Sequence, residues 1–147
     1  MTFIEGGAAG MWAASSDREG NPEAVRVVGT KVREKGGMLT LYLPTEQSGQ
    51  TLRNFDNHPE IAVFYASMAA YRAVQVKGEV VGVREARAVD RKFQEAYKQR
   101  FIEQAVSVGM ARAVVERLAY WPSTAVDVAV REIYVQTPGP QAGTPWR

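Results

Sequence analysis

Short apolar runs closed by turn formers fill the first 83 residues, and this pattern limits the fold more than any other feature of the chain. Met11–Ser15 ends in Asp17-Arg18-Glu19-Gly20-Asn21-Pro22, a cluster of residues that favour turns. Val25–Val32 is β-branched and partly alternating, as strands are, and Glu34–Gly37 makes the next turn. Met38–Leu43 follows and stops at Pro44. These three runs predict an antiparallel meander with hairpin links. Ile61–Tyr65 is a continuous apolar run of strand length, expected near the centre of a sheet. Tyr71–Val83 predicts a longer strand, with Val74, Val76 and Val80 on one face and Gln75, Lys77 and Glu79 on the other.

Between these strands, Ser48 is a plausible N-cap for a short helix in which Leu52 and Phe55 have helical spacing. Asn57-His58-Pro59 ends it, since the residue before a proline is pushed out of the helical region. The period then changes. Val89, Phe93, Tyr97 and Phe101 recur every four residues among charged neighbours and predict an amphipathic helix over 86–105. A second helix is expected over 108–120, with Met110, Ala111, Val114, Val115 and Leu118 inside and Pro122 as its stop. A last strand begins at Val126 and reaches Tyr134. Residues 1–136 form one expected domain, and the Pro/Gly-rich tail over 137–147 is expected to be irregular. Six antiparallel strands tend to close into a barrel, which removes their edges.

Composition excludes more chemistry than it suggests. At 147 residues, 46% hydrophobic and 23% charged, the chain has the balance of a single globular domain. Its charges are interspersed and sum to +2, a pattern that gives no support for nucleic acid binding. No apolar run approaches the roughly 20 residues needed to cross a bilayer. The N-terminus lacks the basic and apolar regions of a signal peptide, so a cytoplasmic protein is expected. The absence of cysteine removes disulfides, thiol nucleophiles and iron–sulfur clusters. A single histidine, His58, removes two-histidine zinc motifs, and no metal site is expected. Gly-Gly-Ala-Ala-Gly over 6–10 is not a dinucleotide fingerprint, because no βαβ pattern surrounds it. No carboxylate pair stands out as an acid and base, so a catalytic side chain is unknown from sequence. A bound organic cofactor remains possible, since it brings its own reactivity.

The segment around Ser48 carries the strongest binding signal. Thr45, Ser48 and Thr51 place three hydroxyls at a strand-to-helix turn, and Gly49 allows close backbone approach. A helix start offers free N–H groups and the positive end of a dipole, which favour a phosphate. Arg26 on a neighbouring strand could supply a bidentate contact. The same residues also suit a plain helix cap and a solvated arginine, and spacing leaves both readings open. Gln75 and Lys77 could meet a heteroaromatic ring edge or only solvent.

In order and spacing these segments resemble the pyridoxamine 5′-phosphate oxidase-like family of FMN-binding split barrels. The landmarks are the turn 17–22, Arg26-Val27-Val28, Leu39–Leu43, Ser48–Asn54, Asn57–Val63 and Arg72–Val80. The resemblance implies a mainly β (α+β) fold: a six-stranded antiparallel split β-barrel with a short helix in the barrel and two helices in the C-terminal half. It implies an obligate homodimer with FMN at the interface and an oxidoreductase acting on a small molecule. Carried over residue by residue, Arg26, Val27 and Val28 would lie along the flavin, with Arg26 on its phosphate. Tyr42, Leu43, Pro44 and Thr45 would pass the ring. Ser48, Gln50 and Thr51 would hold the phosphate, and Gln75 would lie on the strand beside the flavin. The chain departs from the family where lysine is common and Gln50 stands instead. It departs again at Ala73, where the oxidase itself has glutamine. The C-terminal substrate region of the true oxidases is not recognisable, so the resemblance does not extend to vitamin B6 oxidation. A non-catalytic flavin or deazaflavin binder and a dimeric scaffold are the alternative expectations.

Overall fold

The computed structural model describes residues 2–5, 10–67 and 69–146, so the glycine-rich stretch over 6–9 lies outside it. Seven strands form one antiparallel sheet: β1 (Gly10–Ser16), β2 (Pro22–Arg26), β3 (Thr30–Arg33), β4 (Met38–Pro44), β5 (Glu60–Ser67), β6 (Arg72–Glu85) and β7 (Ser123–Val135). Their order across the sheet is β2-β1-β5-β6-β7-β4-β3. The two hairpins of the expected meander are present, β1 with β2 and β3 with β4, but they lie at opposite ends of the order, and β5 is an interior strand between β1 and β6 while β6 holds the centre. The first hairpin is fastened by Asp17, whose carboxylate accepts the amides of Glu19 at 3.0 Å and Asn21 at 2.9 Å.

The count of six strands is corrected to seven because the run over 25–32 breaks. Val27 still donates to the carbonyl of Met11 at 3.0 Å, on the β1 side. Val28 donates to Tyr42 at 2.8 Å, on the β4 side. The change of partner falls at Gly29, whose φ of +144° suits a residue without a side chain. The two end strands of the sheet are therefore consecutive parts of one bent segment. That bend curls the sheet toward a barrel without closing its ladder.

The barrel interior takes Leu39, Leu41, Val63, Tyr65, Val76 and Val128, all buried. Nearly every residue of β4 is buried, including Thr40 and Tyr42 on its second face. That second face is covered by a helix. β6 and β7 pair along their whole lengths, with irregularities at Lys77/Gly78 and Val80/Gly82. A Cβ on Gly78 would lie 2.4 Å from the backbone oxygen of Ala129. Gly78→Ala is therefore expected to lower stability by about 3 kcal/mol in urea unfolding, because backbone cannot yield as a side chain can.

The helices are α1 (Thr2–Glu5), α2 (Gly49–Phe55), α3 (Ala88–Ser107) and α4 (Arg112–Glu116). α1 was not anticipated; its Glu5 carboxylate accepts the Val32 amide at 2.8 Å. α2 starts where Ser48 suggested. The helix over 86–105 exists, but its buried face is rotated from the apolar stripe. Val89 is 63% exposed, whereas Asp90, Gln94, Tyr97, Ile102 and Ala105 are buried. The helix expected over 108–120 shrinks to α4. Gly109 turns the chain at φ +94°, and Met110 and Val114 are exposed rather than inside. After Glu116 the chain leaves the helix, and Tyr120 reaches Arg26. The tail is less irregular than expected: Trp146 donates to Ile133 at 2.8 Å and Val135 to Thr144 at 2.9 Å. No described helix is long and apolar enough to cross a membrane.

Candidate functional site

Arg26, at the end of β2, emerges on the face opposite Val25. Its guanidinium donates to the Tyr120 hydroxyl at 2.9 Å and lies over the rings of Phe101 and Tyr120, 5.0 and 4.9 Å from their centroids. Cation–π contact in a half-buried place holds it there. Among the described residues no hydrogen bond or ion pair joins it to the turn over 45–51. Val27, Val28 and Leu43 are buried, so their side chains serve packing.

The turn itself is close-packed. Ser48 is fully buried and its hydroxyl donates to the Pro44 carbonyl at 2.6 Å, so it braces the turn rather than capping α2. The Thr45 hydroxyl meets that of Thr124 at 3.1 Å. Gln50 donates to Asn54 at 2.8 Å and accepts from Arg53 at 2.8 Å. That bond holds the Arg53 guanidinium 3.5 Å from where a Gly49 side chain would begin. The first bond into α2 runs from Leu52 N–H to Ser48, so the amides of Gly49, Gln50 and Thr51 precede the helical ladder. Among the described residues the Thr51 hydroxyl is buried with no hydrogen-bond partner. A buried orphan of this kind costs about 1–3 kcal/mol. Thr51→Val is thus expected to raise the unfolding free energy by about 1 kcal/mol, measured by urea unfolding.

Gln75 lies on a different surface. Ladder registers align Arg26 with Trp12, Trp12 with Phe64, Phe64 with Gln75, and Gln75 with Tyr134. This row crosses five strands. Trp12 is 52% and Phe64 38% exposed, so the row leaves aromatic surface in solvent.

The most highly connected group is one that apolar spacing did not reveal. Asp90 accepts the Tyr42 hydroxyl at 2.7 Å, Arg84 at 2.7 Å and the Arg87 amide at 2.9 Å, and Lys31 stands 3.6 Å away. Burial would raise its pKa. The hydrogen bonds from Arg84, the Arg87 amide and Tyr42 outweigh burial and hold the carboxyl well below its ordinary value. Tyr42 is pushed above its ordinary range by burial and by the Asp90 charge. Gln94, one turn on, donates to the carbonyls of Val28 at 3.3 Å and Tyr120 at 3.2 Å, and accepts from Ser123 at 2.6 Å. The signal for both was available: Asp90, Gln94 and Tyr97 share one helical face. Among the described residues no group of three His, Cys, Asp or Glu side chains could hold a metal.

These features define a class: a seven-stranded antiparallel sheet curled toward a barrel, with a short helix inserted after β4. The family model for pyridoxamine 5′-phosphate oxidase matches residues 3–135, and the chain belongs to that family. No curated protein matches the sequence. Among solved structures, HupZ from Group A Streptococcus aligns over 97% of this chain and 98% of its own, with TM-score 0.57 and 14% identity. A structure described as an F420 reductase aligns over 90% and 93%, with TM-score 0.57 and 15% identity. An FMN-binding protein from Syntrophomonas wolfei aligns over 91% and 81%, with TM-score 0.59 and 8% identity. At these identities the likeness establishes the fold.

The phosphate end of an FMN fits the residues present: three amides outside the helical ladder, the orphaned Thr51 hydroxyl, and Arg53 beside Gly49. Arg53 would supply a cation where Gln50 carries none. The strand face assigned to the ring, at Val28 and Tyr42, lies beneath α3.

Proposed function

We propose that the chain is an FMN-dependent flavoprotein oxidoreductase of the pyridoxamine 5′-phosphate oxidase-like type. It acts as a cytoplasmic homodimer on a small molecule. Membership of the family over residues 3–135 carries this reading. The relatives described as an FMN-binding protein and an F420 reductase support a flavin-type ligand. When bound, FMN supplies hydride or electron transfer. The chain's own residues bind and orient. The amides of Gly49 and Gln50, the Thr51 hydroxyl and Arg53 hold the phosphate, and Gln50 steers Arg53. The exposed aromatic row of Trp12 and Phe64 suits burial against a second copy.

A second reading, a dimeric scaffold, is favoured by one observation: α3 packs over the strand face that a flavin ring would use. Heat release of bound small molecules, followed by mass spectrometry, separates the readings. FMN at one per chain supports the first. A deazaflavin replaces the cofactor but keeps the flavin-type reading. Protein that releases neither, and takes up no added FMN, is the scaffold.

A further inference from the structure

Trp12, Phe64 and Met110 are exposed, yet all three border one groove between β1, β5 and the second half of α3. Phe101 lines it from the helix. Its volume is about 240 Å³, below the roughly 300–1,000 Å³ of drug-sized sites, so it suits a small ligand. The groove exists because small residues stand among these large ones. Gly10 and Ala66 are partners across the β1–β5 ladder, and both line it, as does Ala105 of α3. The backbone does not require glycine at position 10, where φ is not positive. A Cβ there would meet only the Ala66 carbonyl oxygen, at 4.0 Å. The ladder could therefore carry a larger residue, which would occupy the groove.

A cation stands at the edge of this apolar space. Arg26 is the strand partner of Trp12, and its guanidinium lies 5.0 Å from the centre of the Phe101 ring. A guanidinium has five N–H donors. Among the described residues Arg26 gives one hydrogen bond, to the Tyr120 hydroxyl, and pairs with no carboxylate. A half-buried cation without a counter-ion, next to apolar surface, is complementary to a carboxylate on an apolar body. Guanidinium binds that group through two parallel hydrogen bonds. The rings of Phe101 and Tyr120 already hold Arg26 in place, so little freedom is lost when an anion binds. Aromatic walls favour a flat ring as the apolar body. The groove shares no lining residue with the turn over 45–51, so this site stands apart from the FMN reading.

We propose that this groove binds a small aromatic carboxylate, its ring between Trp12, Phe64 and Phe101 and its carboxylate on Arg26. Calorimetric titration of the full chain with naphthoate, and with the uncharged naphthamide of the same shape, tests it. The wild type is expected to bind naphthoate at least tenfold more tightly than naphthamide, because a charge-assisted hydrogen bond is lost with the amide. Arg26→Gln should weaken naphthoate at least tenfold and leave naphthamide within twofold. Gly10→Leu should weaken both at least tenfold, since it fills the space rather than removing the charge. No binding of naphthoate to the wild type overturns the site, whether the groove stays empty or is covered by a second copy. Equal affinity for acid and amide overturns the role of Arg26 and hence the ligand class. Unchanged binding in Gly10→Leu places the ligand elsewhere and overturns the site. If Arg26→Gln does not fold, as judged by circular dichroism, the comparison of acid with amide on the wild type and the Gly10→Leu titration decide.

Discussion

Asp90→Ala is expected to lower the unfolding free energy by about 3 kcal/mol, since it removes one partner of a buried charged network. The loss has three parts. The buried Tyr42 hydroxyl is left without its acceptor, the Arg87 amide loses its cap, and Arg84 loses a bidentate partner. Arg84 and Lys31 are about one-third exposed, so water compensates part of their loss and keeps the total from rising further. Urea unfolding measures the effect. Because Tyr42 and Asp90 act together, Tyr42→Phe in the Asp90→Ala background should cost less than Tyr42→Phe alone.

The same network sets a pH dependence. The folded carboxyl of Asp90 titrates below its ordinary value of 3.8, so the folded state holds fewer protons than the unfolded chain around that value. Its contribution is complete above the unfolded value and is lost as pH falls through it toward the folded one. Wild-type stability should therefore fall more steeply between about pH 5 and pH 2 than that of Asp90→Asn. Parallel slopes for the two proteins would show that Asp90 is not held in its charged form.

Tyr97→Ala is expected to cost about 4 kcal/mol, the range for removing a large aromatic side chain from a core. Tyr97 is 1% exposed, belongs to the main core, and stacks with Phe101 at 6.4 Å between centroids. In a chain of this length the melting temperature should drop by roughly 10 °C. Val89→Ala is the matching control. Val89 shares the four-residue spacing with Tyr97 but is exposed, so its truncation should change stability by less than about 0.5 kcal/mol. Equal losses for the two variants would mean that the helix docks on the face its apolar spacing suggests.

That contrast shows what could be read in advance. Strand positions were legible because turn formers and alternation act locally: Asp17, Gly20 and Pro22 make a hairpin whatever lies beyond it. The break at Gly29 was not, because a change of pairing partner is a tertiary event inside one β-branched run. The rotation of α3 escaped for a different reason. Apolar periodicity counts only hydrophobic residues, whereas Asp90 and Gln94 are buried by the partners they find on β4, β6 and β7. Only the fold brings those partners together. At the candidate site, Ser48, Thr51 and Gly49 fall in the turn where the spacing placed them. The direction of the Ser48 hydroxyl, the role of Arg53 and the commitment of Arg26 to Tyr120 depend on neighbours distant in sequence. Gln75 falls on the outer aromatic row, apart from the turn.

The direct test of the account is an absorbance titration of the purified chain with FMN, followed by gel filtration. The account predicts a yellow protein that elutes as a dimer with one flavin per chain, and weaker retention in Arg53→Ala. A colourless protein that separates cleanly from added FMN would contradict it.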